Sequence, residues 1–129
     1  MDDADAGSTM HIGELAERTG LSTRTVRHYD DVGLLHPTGR SDGGFRLYTA
    51  DDLERLLIIR RMKPLGFALE EMADVLDVID RITAAPTPET RAAIQAELDA
   101  YIADTRLRRA NLQRNLEWAD EFLAILERH

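Results

Sequence analysis

The sequence predicts a mainly α-helical chain in two parts: a small N-terminal domain whose short helices flank a glycine-rich hairpin, and one long C-terminal helix that pairs with a second copy of itself. Three observations carry this. Residues 11–32 hold two short helical patterns separated by Gly20-Leu21-Ser22. Residues 34–48 set Pro37, Gly39, Ser41, Asp42, Gly43 and Gly44 between apolar residues, which is hairpin chemistry. Beyond Pro86-Thr87-Pro88, apolar residues recur at alternating steps of three and four.

The elements follow in order. Residues 1–10 are acidic and small, the composition of a disordered leader. A short helix then turns Ile12, Leu15 and Ala16 inward and ends at Gly20. Ser22 is a good N-cap for a second helix running from Thr23 to about Val32. Its Val26 and Tyr29 lie three apart, so both can face the first helix, and Gly33 ends it. Two short strands around a loop occupy residues 34–48, with Phe45 expected in the core. Thr49-Ala50-Asp51-Asp52 starts a third helix reaching roughly Leu65, where Gly66 stops it. A fourth helix, residues 69–82, carries Met72, Leu76 and Ile79 on one face. The organisation expected is a leader over 1–10, a domain over 11–82, a linker over 83–90 and a helix over 91–129.

Length is the argument for a partner. A helix of ~35 residues is over ~50 Å long at about 1.5 Å per residue. A domain of about 70 residues cannot cover that stripe, and the simplest cover is a second copy. The predicted seam is Ile102, Thr105, Arg109, Leu112, Leu116, Ala119, Leu123 and Leu126, with Thr105 and Arg109 as its polar interruptions.

Composition narrows the functions available. Hydrophobic residues at 43% and charged ones at 31% give a globular balance, and no stretch approaches the ~18 apolar residues of a membrane span. The first residues lack the basic and apolar regions of a signal peptide, so a cytoplasmic protein is expected. There is no cysteine, which excludes disulfides, thiolate metal cages and thiol nucleophiles. His11, His28, His36 and His129 are scattered, so neither a metal site nor a cofactor is expected. The net charge of −8 argues at first against nucleic acid, but its distribution reverses that. Residues 1–8 carry −3, residues 9–63 carry +1 and residues 64–129 carry −6. The local field decides whether a face can meet phosphate.

Two helices joined by a tight turn and followed by a hairpin form a winged helix-turn-helix, which presents the second helix to a DNA major groove. Its exposed positions, Thr23, Arg24, Arg27 and His28, include two arginines able to bind guanine or clamp a phosphate. The hairpin adds Arg40, Arg46 and Tyr48.

The runs Ile12-Gly13-Glu14-Leu15-Ala16, Thr19-Gly20-Leu21-Ser22, Thr25-Val26-Arg27-His28-Tyr29-Asp30 and Gly33-Leu34-Leu35 resemble the MerR family of transcription regulators. Gly44-Phe45-Arg46-Leu47-Tyr48 resembles that family's wing, and Leu65-Gly66-Phe67 with Leu69-Glu70-Glu71-Met72 its second helix pair. The match covers about residues 11–79 and is most similar to members that are cysteine-free and sense organic compounds, or are orphans. The resemblance implies DNA contacts from Arg24, Thr25, Arg27 and Tyr29 on the second helix, from Arg46 and Tyr48 on the wing, and near the backbone from Arg60, Arg61 and Lys63; Ser22, Thr23, His28 and Arg40 complete the expected DNA-contacting set. It implies an antiparallel coiled-coil homodimer that distorts the spacer of a palindromic promoter operator and so controls RNA polymerase. The resemblance leaves room for a small-molecule effector as a further partner, and the sequence names neither its existence nor its chemistry. Two departures stand out: Ala68 occupies a position where an N-capping Ser or Thr is usual, and the cysteine-bearing loop of metal-sensing members is missing. An architectural DNA-bending protein, such as a recombination directionality factor, is the alternative. No motif supports an enzyme.

Overall fold

The structure, a computed structural model, describes residues 8–129. Residues 1–7 of the expected leader lie outside the described residues. The element order is β1 (Thr9–Met10), α1 (Ile12–Thr19), α2 (Thr23–Asp31), β2 (Gly39–Arg40), β3 (Arg46–Thr49), α3 (Ala50–Met62), a 3₁₀ turn (Lys63–Leu65), α4 (Leu69–Thr83) and α5 (Pro88–Glu127). The chain divides into two compact units, Met1–Met62 and Lys63–His129. The expected boundary at 82 thus falls earlier, because α4 packs with the long helix.

In the first unit, Gly20 ends α1 in a left-handed conformation, φ 71°, that a Cβ would disfavour. The turn delivers Ser22 to the start of α2, where its Oγ accepts the Thr25 N–H at 3.0 Å. Leu15 and Ala16 of α1 and Val26 and Tyr29 of α2 are buried, along with Leu56 and Ile59 of α3. The sheet has three antiparallel strands in the order β1-β3-β2, with Met10 opposite Tyr48 and Arg40 opposite Arg46. Thr9 and Met10 therefore belong to the sheet, which corrects the expectation of a disordered leader up to residue 10. Two residues are too few to show strand periodicity.

The capping box at the start of α3 forms as expected, with Asp52 accepting the Thr49 N–H at 3.0 Å and Thr49 accepting the Asp52 N–H at 3.3 Å. The buried Asp52 also accepts the His36 N–H at 2.8 Å, which ties the start of α3 to the loop after α2.

In the second unit, α4 and α5 form a helical hairpin around Val78, Ile82 and Ile94, with Ala85, Leu98 and Tyr101 against them. Thr87 caps α5 by accepting the Thr90 N–H at 3.1 Å, and Pro88 takes the first helical position. The helix begins three residues before the expected start, so the connection shortens to residues 84–87. Arg81 closes the hairpin by donating to both Glu97 oxygens at 2.9 Å and to Asp77 at 2.8 Å. Arg108 donates to the Leu65 carbonyl at 3.3 Å and to Glu71 at 2.8 Å, with its guanidinium 3.9 Å from the Phe67 ring centre. Ala68 makes no side-chain cap, but Glu71 accepts its N–H at 2.8 Å, so half of a capping box remains.

Forty residues make α5 about 60 Å long. Ile94, Leu98, Tyr101, Thr105 and Arg108 follow steps of four and three, so they share a helix face. Leu112, Leu116, Ala119, Leu123 and Leu126 continue that face, and every residue from 111 to 129 is exposed in the single chain. Among the described residues no helix is long and apolar enough to cross a membrane.

Candidate nucleic-acid interface

The open face of α2 is built by spacing. Arg24, Arg27 and His28 lie three and four residues apart, on the side opposite Val26 and Tyr29, and all three are exposed. Thr23 is also exposed at the first helical position. Thr25 differs, since its hydroxyl accepts from Ser22 Oγ at 2.9 Å and belongs to the cap. Among the expected contacts on α2, the structure therefore leaves Thr23, Arg24, Arg27 and His28 facing outward, while Ser22 and Thr25 shape the helix start.

Tyr29 and Tyr48 both lie in the core. Tyr29 is buried, so its ring serves the core as expected. Tyr48 is only 2% exposed and donates its hydroxyl to Asp30 at 2.6 Å. Burial, reinforced by that hydrogen bond, pushes its phenol up to about 12. Along β3, alternation sends Tyr48 inward, where the sequence reading placed it on the DNA side. Phe45 is the reverse case: expected in the core, it is 63% exposed. It precedes the first residue of β3 and so escapes the strand's alternation.

Arg46 is half-exposed and hydrogen-bonds Asp30, with Asp31 3.5 Å away. The bond to Asp30, then its charge, raises the guanidinium further above its already high ordinary pKa. Arg40, directly across the ladder, donates to the Gly44 carbonyl at 2.8 Å. Together with Arg27 these arginines line an open groove of about 480 Å³, walled by His11, Ile12 and Gly13 at the start of α1 and by Phe45. The rings of His11 and Phe45 lie 5.8 Å apart. At Gly43 a Cβ would come within 3.1 Å of the Phe45 ring, so the glycine makes room for it.

Arg60 is exposed at its surface but donates to the Thr19 carbonyl at 2.6 Å, which ties α3 to the end of α1. Arg61 and Lys63 are exposed; Lys63 belongs to the second unit. The predicted seam on α5 also divides. Thr105 lies on the face that packs within its own chain and back-bonds to the Tyr101 carbonyl at 2.7 Å. Ile102 and Arg109 sit to one side of that face. Leu112, Leu116, Ala119, Leu123 and Leu126 are exposed, and so are Leu107, Trp118, Phe122 and Ile125 on a second stripe.

Sequence reasoning missed Asp30, His11 and the outward Phe45. For Asp30 there was a signal. A carboxylate next to the last residue of a helix opposes the helix dipole, so it needs a specific partner. Among the described residues no cluster of His, Asp or Glu could hold a metal ion.

The profile described as MerR HTH family regulatory protein matches residues 10–78, and that described as MerR, DNA binding matches residues 53–115. An uncharacterised HTH-type transcriptional regulator of Pseudomonas aeruginosa is 39% identical over 106 residues, which are 81% of this chain and 80% of that protein. The regulator ZntR of Escherichia coli is 35% identical, over 80% of this chain and 75% of its own length. Among solved structures, HiNmlR, a MerR family regulator lacking the sensor domain and bound to promoter DNA, matches with a TM-score of 0.65 and 28% identity, covering 93% of this chain and 91% of that one. These relatives are regulators rather than enzymes. Together with the open arginine face of α2 and the basic groove beside it, they show that the chain belongs to the MerR family of DNA-binding transcriptional regulators.

Proposed function

We propose that the chain acts in the cytoplasm as a homodimer on a palindromic promoter operator, and that it controls RNA polymerase by distorting the spacer between promoter elements. The observation that carries this reading is the outward face of Arg24, Arg27 and His28 running into the groove lined by Arg40, Arg46 and Phe45. One such face reads a half-site, and two are needed for a palindrome. The bare stripe from Leu112 to Leu126 supports the pairing, because an apolar helix face of this length wants a second helix. Bending a site of this size costs on the order of 1–6 kcal/mol, which contacts from both half-sites offset. Ser22 and Thr25 support the reading helix, while Arg24 and Arg27 contact bases or phosphates. Lys63 and Arg60 add backbone contacts from outside α2. Arg46 grips phosphate from the wing, and Tyr48 acts behind it as a support.

The absence of cysteine and the lack of a carboxylate or histidine cluster among the described residues favour regulation without a soft metal. The tests are direct. Genomic binding sites are mapped and the spacer at each promoter is measured. Arg24→Ala and Arg27→Ala are assayed on selected and scrambled duplexes across salt concentrations. At least one is expected to lose about 1–3 kcal/mol together with preference at one base per half-site. Uniform losses from both would assign these arginines to phosphates alone, and no loss would remove α2 from the interface.

A further inference from the structure

The wing places two arginines opposite each other on paired strands. Arg40 and Arg46 are cross-strand partners, an arrangement that like charge makes unfavourable. Arg40 turns to the Gly44 carbonyl. Arg46 turns to Asp30, on a different element, and Tyr48 from the next inward position of β3 donates to the same carboxylate oxygen. Asp30 is only 8% exposed. It therefore joins the C-terminal end of α2 to β3 through two donors on one carboxylate. The Asp30 carboxylate is badly placed for the α2 helix dipole, and it puts negative charge beside a surface meant for phosphate. Stability of the helix alone does not account for it. Asp30 also lies one turn beyond Arg27, so whatever fixes Asp30 fixes the reach of Arg27.

On the DNA-binding reading above, we propose that Asp30 is a positioning residue that sets the ratio of operator binding to binding of unselected DNA. It does so in two ways. It holds the reading helix and the wing in one fixed relation, so that base-reading and backbone-gripping side chains meet DNA in register. It also neutralises much of the charge of Arg46, which lowers attraction to any phosphate backbone. Tyr48 keeps its proton throughout the neutral range, and so does Arg46, so the junction persists wherever the protein works.

The experiment compares the wild type with Asp30→Asn, Asp30→Glu, Tyr48→Phe, Arg46→Met and the Asp30→Asn/Arg46→Met double variant. Each is titrated on a duplex selected by the wild type from a random pool and on its scrambled counterpart, at several salt concentrations. For Asp30→Asn the ratio of affinities is expected to fall about tenfold, chiefly because binding to scrambled DNA strengthens. Its salt slope should steepen by up to about one contact per protomer, since Arg46 then meets phosphate with its full charge. Asp30→Glu keeps the wild-type slope. In the double variant the salt slope equals that of Arg46→Met alone, because the charge effect of Asp30 acts through Arg46, while the ratio falls further by the share that the Tyr48 tether contributes. An Asp30→Asn protein with unchanged ratio and slope overturns the proposal, and so does one that weakens equally on both duplexes. Should Asp30→Asn fail to fold, Tyr48→Phe decides: it removes one tether but leaves the charge pair. A two- to fivefold fall in the ratio at constant slope is expected, and an unchanged ratio overturns the proposal. A wild type that does not discriminate between the duplexes counts against the operator reading instead.

Discussion

The two units of the chain close their cores in different ways. Residues 8–62 put helix, strand and capping loop around Leu15, Val26, Tyr48, Leu56 and Ile59, and their buried acids, Asp30 and Asp52, are each met by donors from another element. Residues 63–129 bury a hairpin core at Val78, Ile82 and Ile94 and then extend a bare helix past it. One unit is complete as a single chain. The other has a folded root and an unpartnered shaft. In the first, polar groups specify geometry; in the second, repetition of apolar residues specifies only a face.

The sharpest way to break that contrast is Leu116→Asp. On the proposed pairing it places an uncompensated charge in an apolar seam and is expected to leave the protein monomeric at micromolar concentration while the spectrum of the first unit is retained. Sedimentation equilibrium measures it; a persistent dimer sinks the seam. Next comes Leu56→Ala, which opens a cavity at a fully buried position of the first unit. A loss of about 2–5 kcal/mol in denaturant unfolding is expected. Its effect should not change with protein concentration, whereas that of Leu116→Asp should.

Ala68→Ser is a gain. It supplies the missing hydroxyl of a capping box whose Glu71 half is already in place, and about 0.5–1 kcal/mol of stabilisation should appear in thermal melts. The smallest effect is acid sensitivity. The Ala68 N–H, more than Arg108, holds the Glu71 carboxyl below its usual range, and hydrogen bonding from Arg81 does the same for Glu97. Folded pKa values below the unfolded ones mean that this stability is present above the ordinary carboxylate range near 4.5 and is lost as pH falls through the lower folded values. The second unit should therefore loosen on acidification, and Glu97→Gln should flatten that part of the pH profile. An unchanged profile removes Arg81–Glu97 as its source.

Much of the fold was legible because helix ends are written in local chemistry. Gly20, Ser22, and Thr49 with Asp52 all mark boundaries that the structure keeps. What escaped was the facing of side chains. Strand alternation says that Arg46 and Tyr48 share a side, yet not that the shared target is Asp30, sixteen and eighteen residues earlier. Phe45 reads as apolar and therefore interior, but the strand starts one residue after it. On the long helix, steps of three and four describe one continuous face. They cannot mark that the face is covered by α4 and the turn before it up to Arg108 and open from Leu112 onward. Spacing encodes orientation along a helix; coverage depends on where the neighbouring element ends.

That open shaft has a consequence for dosage. In proteins most helical stability comes from tertiary packing, so an unpaired tail of this helix would be the part most prone to fray and to meet proteases. On the proposed pairing a partner helix protects it, and in a dilute dimerising protein the concentration of dimer rises with the square of the total concentration. On the proposed pairing, copies at low number would be the ones open to proteolysis at the tail, while a larger pool would shelter itself. A cell that doubles synthesis of such a regulator then gains more than twice the DNA-reading species, which turns a graded expression signal into a steeper one.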